Sequence, residues 1–235
     1  MNSRLIAAYV IQNSSSDRFR EGVDRKRIVD LQNRAWEMDS GLYRYIQHGF
    51  SILDYLDSST MSEKTKQLNE YLNFVTNTVE MQKVLDEVEK ALNLVRNEWN
   101  QNLEQSNIAI ADILGFELEG NWNVYIQHSA IKTGANLSGD ILWAHRTDWK
   151  NYNTIYLWHE ILHSTFGHSN EEHAIIELIA DNELRARLNK ITYPPFEGHD
   201  FLGDFREHLL PDWQKYLKST PRDIKKFVAD HSVTK

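Results

Sequence analysis

Apolar residues recur at Leu68, Leu72, Val75 and Val79, and again at Leu85, Val88, Leu92, Val95 and Trp99. Those alternating steps of four and three mark one face of a helix, so the spacing predicts one or two long helices, opened by Ser62 as N-cap with Glu63 behind it. Gln82 interrupts the seam, which places a break or bend near it. A seam of this kind packs on another helix, either as a hairpin within the chain or as a coiled coil by helical self-association of two copies. Upstream, residues from about Asp17 to Leu56 carry two or three amphipathic segments, with Gly22, Gly41 and Gly49 as interruptions. Leu5 to Ile11, rich in β-branched and aromatic residues, reads as a strand.

After Gly115 the pattern shortens. Trp122 to Gln127 and Asp140 to His145 read as strands, separated by turn-like residues including Gly134 and Gly139. A helix follows from about Thr154 to Phe166 and stops at Gly167, and Ser169-Asn170-Glu171-Glu172 has the spacing of a capping box for a second helix reaching about Leu188. Pro194 and Pro195 close that unit. Phe201 to His208 and Asp212 to Leu217 read as further short helices, with a less ordered tail from Ser219. The expected fold class is α+β: a mainly helical region over residues 1–114, then a compact region over 115–235 built on a small mixed sheet.

Composition narrows the chemistry. With 235 residues, 41% of them apolar, the chain can bury a substantial core. Lys and Arg total 26 against 34 for Asp and Glu, and the net charge of −8 argues against a nucleic-acid surface. There is no cysteine, so disulfides and thiolate metal sites are excluded and any metal must use His, Asp or Glu. Leu5 to Ile11 is too short to span a membrane and lacks a convincing cleavage site after it. The expectation is a cytoplasmic protein with no membrane partner, with secretion left open.

His159 and His163 lie four apart in His159-Glu160-Ile161-Leu162-His163, so on a helix both imidazoles can face one ion, with Glu160 beside them where a general base for hydrolysis would stand. Five residues alone are weak, since chance supplies the pattern at roughly a few per cent. A second face strengthens it. Glu177 and Asp181 lie four apart on the next helix, within Glu177-Leu178-Ile179-Ala180-Asp181. Glu177 could complete a site of two His and one Glu with a position open for water. Asp181 suits the remaining ring N–H of a ligand histidine.

At these residues the sequence resembles the gluzincin metallopeptidases, which range from thermolysin to the compact minigluzincins. The resemblance covers residues 154–190 and rests on His159, Glu160 and His163 with Glu177, Ala180 and Asp181. It implies a zincin-like core, a zinc ion (Zn2+) held by His159, His163 and Glu177, Glu160 as general base, Asp181 as support for a ligand, and a peptide or protein substrate. It also implies that the strand before the active helix, Asp140 to His145, pairs with an extended substrate, and that a downstream Tyr193, His199, His208 or Tyr216 stabilises an oxyanion. A metzincin pattern fails, because Phe166 and Ser169 occupy the positions of its glycine and third histidine.

Other residues have plainer readings. His168 suits a cap on the helix end. His173, one turn before Glu177, could line the cleft or replace Glu177 as ligand. Trp143 and Trp158 read as core. The functional expectation is a zinc-dependent metallopeptidase; the alternative is an interaction or regulatory protein whose zincin-like half is a metal-stabilised scaffold.

Overall fold

A computed structural model describes residues 1–52, 63–193 and 198–231. The expected N-cap Ser62 and the pair Pro194 and Pro195 lie outside the described residues. The fold is α+β, mostly helical, with a three-stranded mixed sheet. Two compact units divide it: Met1–Leu94 with Val124–Leu137 and Leu142–His145 form the first, while Val95–Asn123, Ser138–Ile141 and the chain from Arg146 form the second. No helix among the described residues is long and apolar enough to cross a membrane.

In the first unit, Leu5 to Ile11 is not a strand but the body of helix α1 (Ser3–Gln12), and all seven residues are buried. A helix enclosed on every side needs no polar face, so its sequence loses the periodicity that would mark it. The Asn2 side chain caps it by accepting the Leu5 N–H. Helix α2 (Lys26–Met38) packs Ile28, Leu31 and Ala35 inward, and its buried Gln32 donates to the Val10 carbonyl. Helix α3 (Ser40–Gly49) begins at Asp39, whose carboxylate accepts the N–H groups of Gly41 and Leu42. Gly41 therefore lies inside a helix, and the interruption is the cap two residues earlier. Helix α4 (Glu63–Thr76) buries Leu68, Tyr71, Leu72 and Val75. Helices α2, α3 and α4 all contact α1.

The long seam breaks at Asn77 and Thr78, not near Gln82. Thr78 Oγ1 accepts the Met81 N–H, starting helix α5 (Val79–Leu114), while Val79 is 66% exposed. The buried positions then run Met81, Val84, Val88, Ala91 and Val95, a phase shifted from the one the sequence suggests because the helix restarts.

Strands β1 (Asn123–Gln127), β2 (Gly134–Leu137) and β3 (Asp140–Ala144) pair in the order β1-β3-β2. Gly134, expected in a turn, opens β2. Ser138 and Gly139, both with positive φ, form the two-residue hairpin between β2 and β3. Because β3 lies between the other two, both of its edges are occupied, so it does not offer the free edge that strand addition requires.

The second unit is helical. Helix α6 (Tyr152–Phe166) is buried along most of its length and starts against Glu98, whose carboxylate accepts the Thr154 N–H (2.7 Å) and the Asn153 side-chain amide (2.9 Å). A negative charge there meets the unpaired N–H groups of the first turn. Helix α7 (Asn170–Glu177) continues as a π-helical stretch, Leu178–Leu184, and then as α8 (Arg185–Asn189). A single helix α9 (Gly203–Lys218) runs through Pro211 where two short ones are expected, and the tail is ordered as α10 (Ile224–His231). Phe227 of α10 packs on Trp213 and Tyr216, which explains why that segment does not fray. Helix α7 contacts α6, α9 and α10, so the elements carrying the candidate site are packed from several sides.

Candidate metal centre

Helix α6 ends where the sequence places it. Gly167 (φ +86) follows Phe166, and its N–H returns to the His163 carbonyl. A Cβ on Gly167 would lie 2.8 Å from a Glu172 carboxylate oxygen. That carboxylate closes the capping box, accepting the Ser169 N–H while Ser169 Oγ accepts the Glu172 N–H. The tight turn folds α7 back on α6 and brings its first turn beside the two α6 histidines.

There, three imidazoles converge. Nε2 of His159 lies 3.1 Å from Nε2 of His173 and 3.3 Å from Nε2 of His163, and the three donor atoms all fall within 4.8 Å of one another. A tetrahedral metal with bonds of about 2.0–2.1 Å to nitrogen holds its donors about 3.3–3.4 Å apart, so these spacings fit one ion. The far side of the rings is also arranged for ligation. His159 Nδ1–H faces both oxygens of buried Asp181 at 3.2 Å, and His163 Nδ1–H donates to the Gly167 carbonyl at 2.8 Å. The Nδ1 side of each ring is thus committed outward, and Nε2 of each faces the cluster.

Electrostatics separate the three rings. Burial lowers the His159 pKa, but the charge and hydrogen bond of Asp181, with Glu160 and Glu177 nearby, outweigh it and lift the group to about 9. Burial pushes the Asp181 carboxyl up, partly offset by His159. His163 is pushed down to about 4 and His173 to about 3, in each case mainly by burial and then by neighbouring imidazoles, against the upward pull of the Gly167 bond at His163. Those two rings are neutral at physiological pH, the form that binds metal. Glu160 is buried beside them.

Glu177 stands differently from the expectation. It is fully buried, but Oε1 accepts the backbone N–H of His199 (2.6 Å) and faces its Nδ1 (2.7 Å), while Oε2 pairs with Arg206. Burial would raise its pKa; the His199 hydrogen bonds and the Arg206 charge reverse that and lower it. The cluster that includes His159 and His163 takes His173 as its third donor, and Glu177 falls instead in a second group with His173 and His199. Arg206 already neutralises the Glu177 carboxylate, which opposes a second cation there. A metal ligand set of His159, His163 and His173 therefore fits this geometry, while Glu177 Oε1 lies 4.0 Å from His173 Nε2 and is engaged by His199.

The remaining candidates sort by position. His168 stacks on His163, with ring centroids 4.7 Å apart. His199 reaches the centre, 4.8 Å from His173 between centroids. Tyr216 donates its hydroxyl to the Ile113 carbonyl, and His208 is exposed on α9. Trp143 and Trp158 are buried. Sequence reasoning missed Arg206, for which an Arg on an amphipathic segment offers no signal without its buried partner. No protein-family model, curated protein or solved structure matches the chain.

Proposed function

We propose that the protein is a zinc-dependent metallopeptidase with a zincin-like site in which His159, His163 and His173 hold the metal. The observation that carries this reading is the convergence of three imidazoles, with Nε2 of His159 at 3.1 and 3.3 Å from those of His173 and His163 and two of the rings tied from behind by Asp181 and Gly167. Zinc bound there supplies Lewis acidity towards a carbonyl and a water molecule. Glu160, adjacent to His159 on the same helix, would hold the proton released when water adds to a peptide carbonyl and pass it to the leaving amine. Asp181 keeps His159 in the tautomer that points Nε2 inward. Burial of His159, His163 and Glu160 limits competing water at those groups.

Substituting Glu160→Gln tests it. Zinc content, measured on protein purified without added metal, should match the wild type, while turnover of a broad peptide library should fall by about 100-fold or more. Equal peptide turnover in the two proteins refutes the mechanism. Zinc in both with turnover in neither favours a metal-stabilised interaction scaffold.

A further inference from the structure

The two imidazoles on α6 are held in different ways. His163 Nδ1 meets the Gly167 carbonyl at 2.8 Å, and the His168 ring lies against its face, 17° from parallel. His159 instead shares its Nδ1 between both oxygens of Asp181, at 3.2 Å each. Charge-assisted contacts of this type are usually about 2.7–2.9 Å long. Two equal, long contacts settle which nitrogen faces backward, but they leave the tilt of the ring about its Cβ–Cγ bond loosely set.

Tyr156 stands one turn before His159. Tyr152, Tyr156, His159 and His163 follow steps of four, three and four, so the helix lays their rings along one stripe. The Tyr156 ring lies 5.7 Å from the His159 ring at an angle of 32°, within the packing range of planar groups. Tyr156 is itself braced. Tyr152 stacks on it at 4.5 Å and 27°, and Trp149 packs against Tyr152 at 4.6 Å and Tyr156 at 6.0 Å. The Arg185 guanidinium lies over Trp149 at 4.0 Å, and that of Arg146 over Tyr152 at 4.8 Å. Each places a cation on the electron-rich face of a ring. The proposed hydrolysis gives none of these aromatic side chains a part.

We propose, on the footing of the zinc site in the peptidase reading, that Tyr156 is a positioning residue of that site. Its ring, braced by Tyr152 and Trp149, sets the tilt of His159 and so aims Nε2 at the point shared with His163 and His173. A donor that is already aimed gives up less freedom when it binds an ion. The contact with His159 is ring against ring, so a phenylalanine can make it.

The experiment measures zinc affinity of the full chain by competition with a chelator, alongside urea unfolding of the metal-free protein. Tyr156→Leu should weaken zinc binding about 10-fold, the lower end of what groups supporting a ligand contribute, and Tyr156→Phe should stay within about threefold of wild type. A double-substitution cycle with Asp181→Asn separates aiming from general stability. Because Asp181 and Tyr156 constrain one ring, the combined loss should fall short of the product of the single losses by about threefold or more, whereas independent effects multiply. Cobalt(II) in place of zinc gives a spectral readout of donor geometry: its visible bands should change in Tyr156→Leu and not in Tyr156→Phe. If Tyr156→Leu does not fold, Trp149→Leu removes the brace from a half-buried position and should still cost about threefold or more in zinc affinity. Wild-type affinity in Tyr156→Leu, or in Trp149→Leu where Tyr156→Leu is unfolded, overturns the positioning role and leaves the peptidase reading intact. So does a Tyr156→Phe loss equal to that of Tyr156→Leu, or a cycle that simply multiplies. Zinc held in this Tyr156-dependent way by a chain that cleaves no peptide keeps the positioning role and sinks the peptidase reading. A wild-type chain that binds no zinc overturns both.

Discussion

The identity of the third donor can be decided by a pair of substitutions. His173→Ala deletes an imidazole whose Nε2 sits 3.1 Å from that of His159. Apparent binding energies for four-ligand zinc sites are about 10–16 kcal/mol, so one ligand of such a set is worth on the order of 3 kcal/mol, or roughly a 100-fold or greater loss of affinity. Glu177→Gln is the contrasting change. It keeps an oxygen for the His199 N–H but removes the charge opposite buried Arg206. Leaving one member of a buried pair uncompensated costs about 3–5 kcal/mol of stability. Zinc affinity, by contrast, should change by less than about 10-fold, the lower end of what supporting residues contribute. Competition against a chromogenic chelator measures the affinity, and urea unfolding with far-UV circular dichroism measures the stability in the same samples. If Glu177→Gln loses zinc while folded and His173→Ala keeps it, the carboxylate is the ligand and the three-imidazole geometry has been misread.

Three further outcomes follow from the same contacts. Asp181→Asn removes the carboxylate behind His159 and should weaken zinc binding about 10- to 100-fold without unfolding the chain, as read by the same chelator competition. Gly198→Ala forces a Cβ against Glu177 and Arg206 at a φ of +138 and should cost about 1–3 kcal/mol in urea unfolding. His128 is buried, its Nε2–H donating to Glu87 and its Nδ1 accepting the Ala130 N–H. Burial lowers its pKa despite the pull of Glu87. The folded state thus resists the proton that the unfolded chain accepts below about pH 6.5, so stability is complete above that pH and falls as the medium becomes more acidic. His128→Gln should flatten this part of the pH–stability curve, and an unchanged slope would rule His128 out as its source.

The helix that carries the candidate metal donors was legible because its chemistry and its folding signals coincide locally. His159 and His163 are spaced for one helix face, Gly167 stops that helix, and Ser169 with Glu172 announces the next, all within reach of single-sequence rules. The partnership of Asp181 with His159 also followed from helix spacing once two adjoining helices were expected to pack. The choice between His173 and Glu177 did not. They lie four apart on one face, and what separates them is Arg206, 29 residues beyond Glu177 on another helix. Tertiary contacts likewise decide α1, whose buried surroundings erase its amphipathic pattern, and α10, which is ordered by aromatic packing. The central place of β3 depends on strand order, to which hydrophobic alternation is blind.

The π-helical stretch Leu178–Leu184 has its own consequence. Its widened ladder begins directly after Glu177 and contains Asp181, so the two acidic residues reach different partners, Arg206 and His159, from a continuous rod. Loss of one residue inside it would let the rod rewind to ordinary α pitch and swing Asp181 off its imidazole. Every letter of His159-Glu160-Ile161-Leu162-His163 would survive such a deletion, yet His159 would be left to spin between tautomers. A signature can thus outlive the scaffold that makes it work, and in this chain the vulnerable part lies a helix away from the signature.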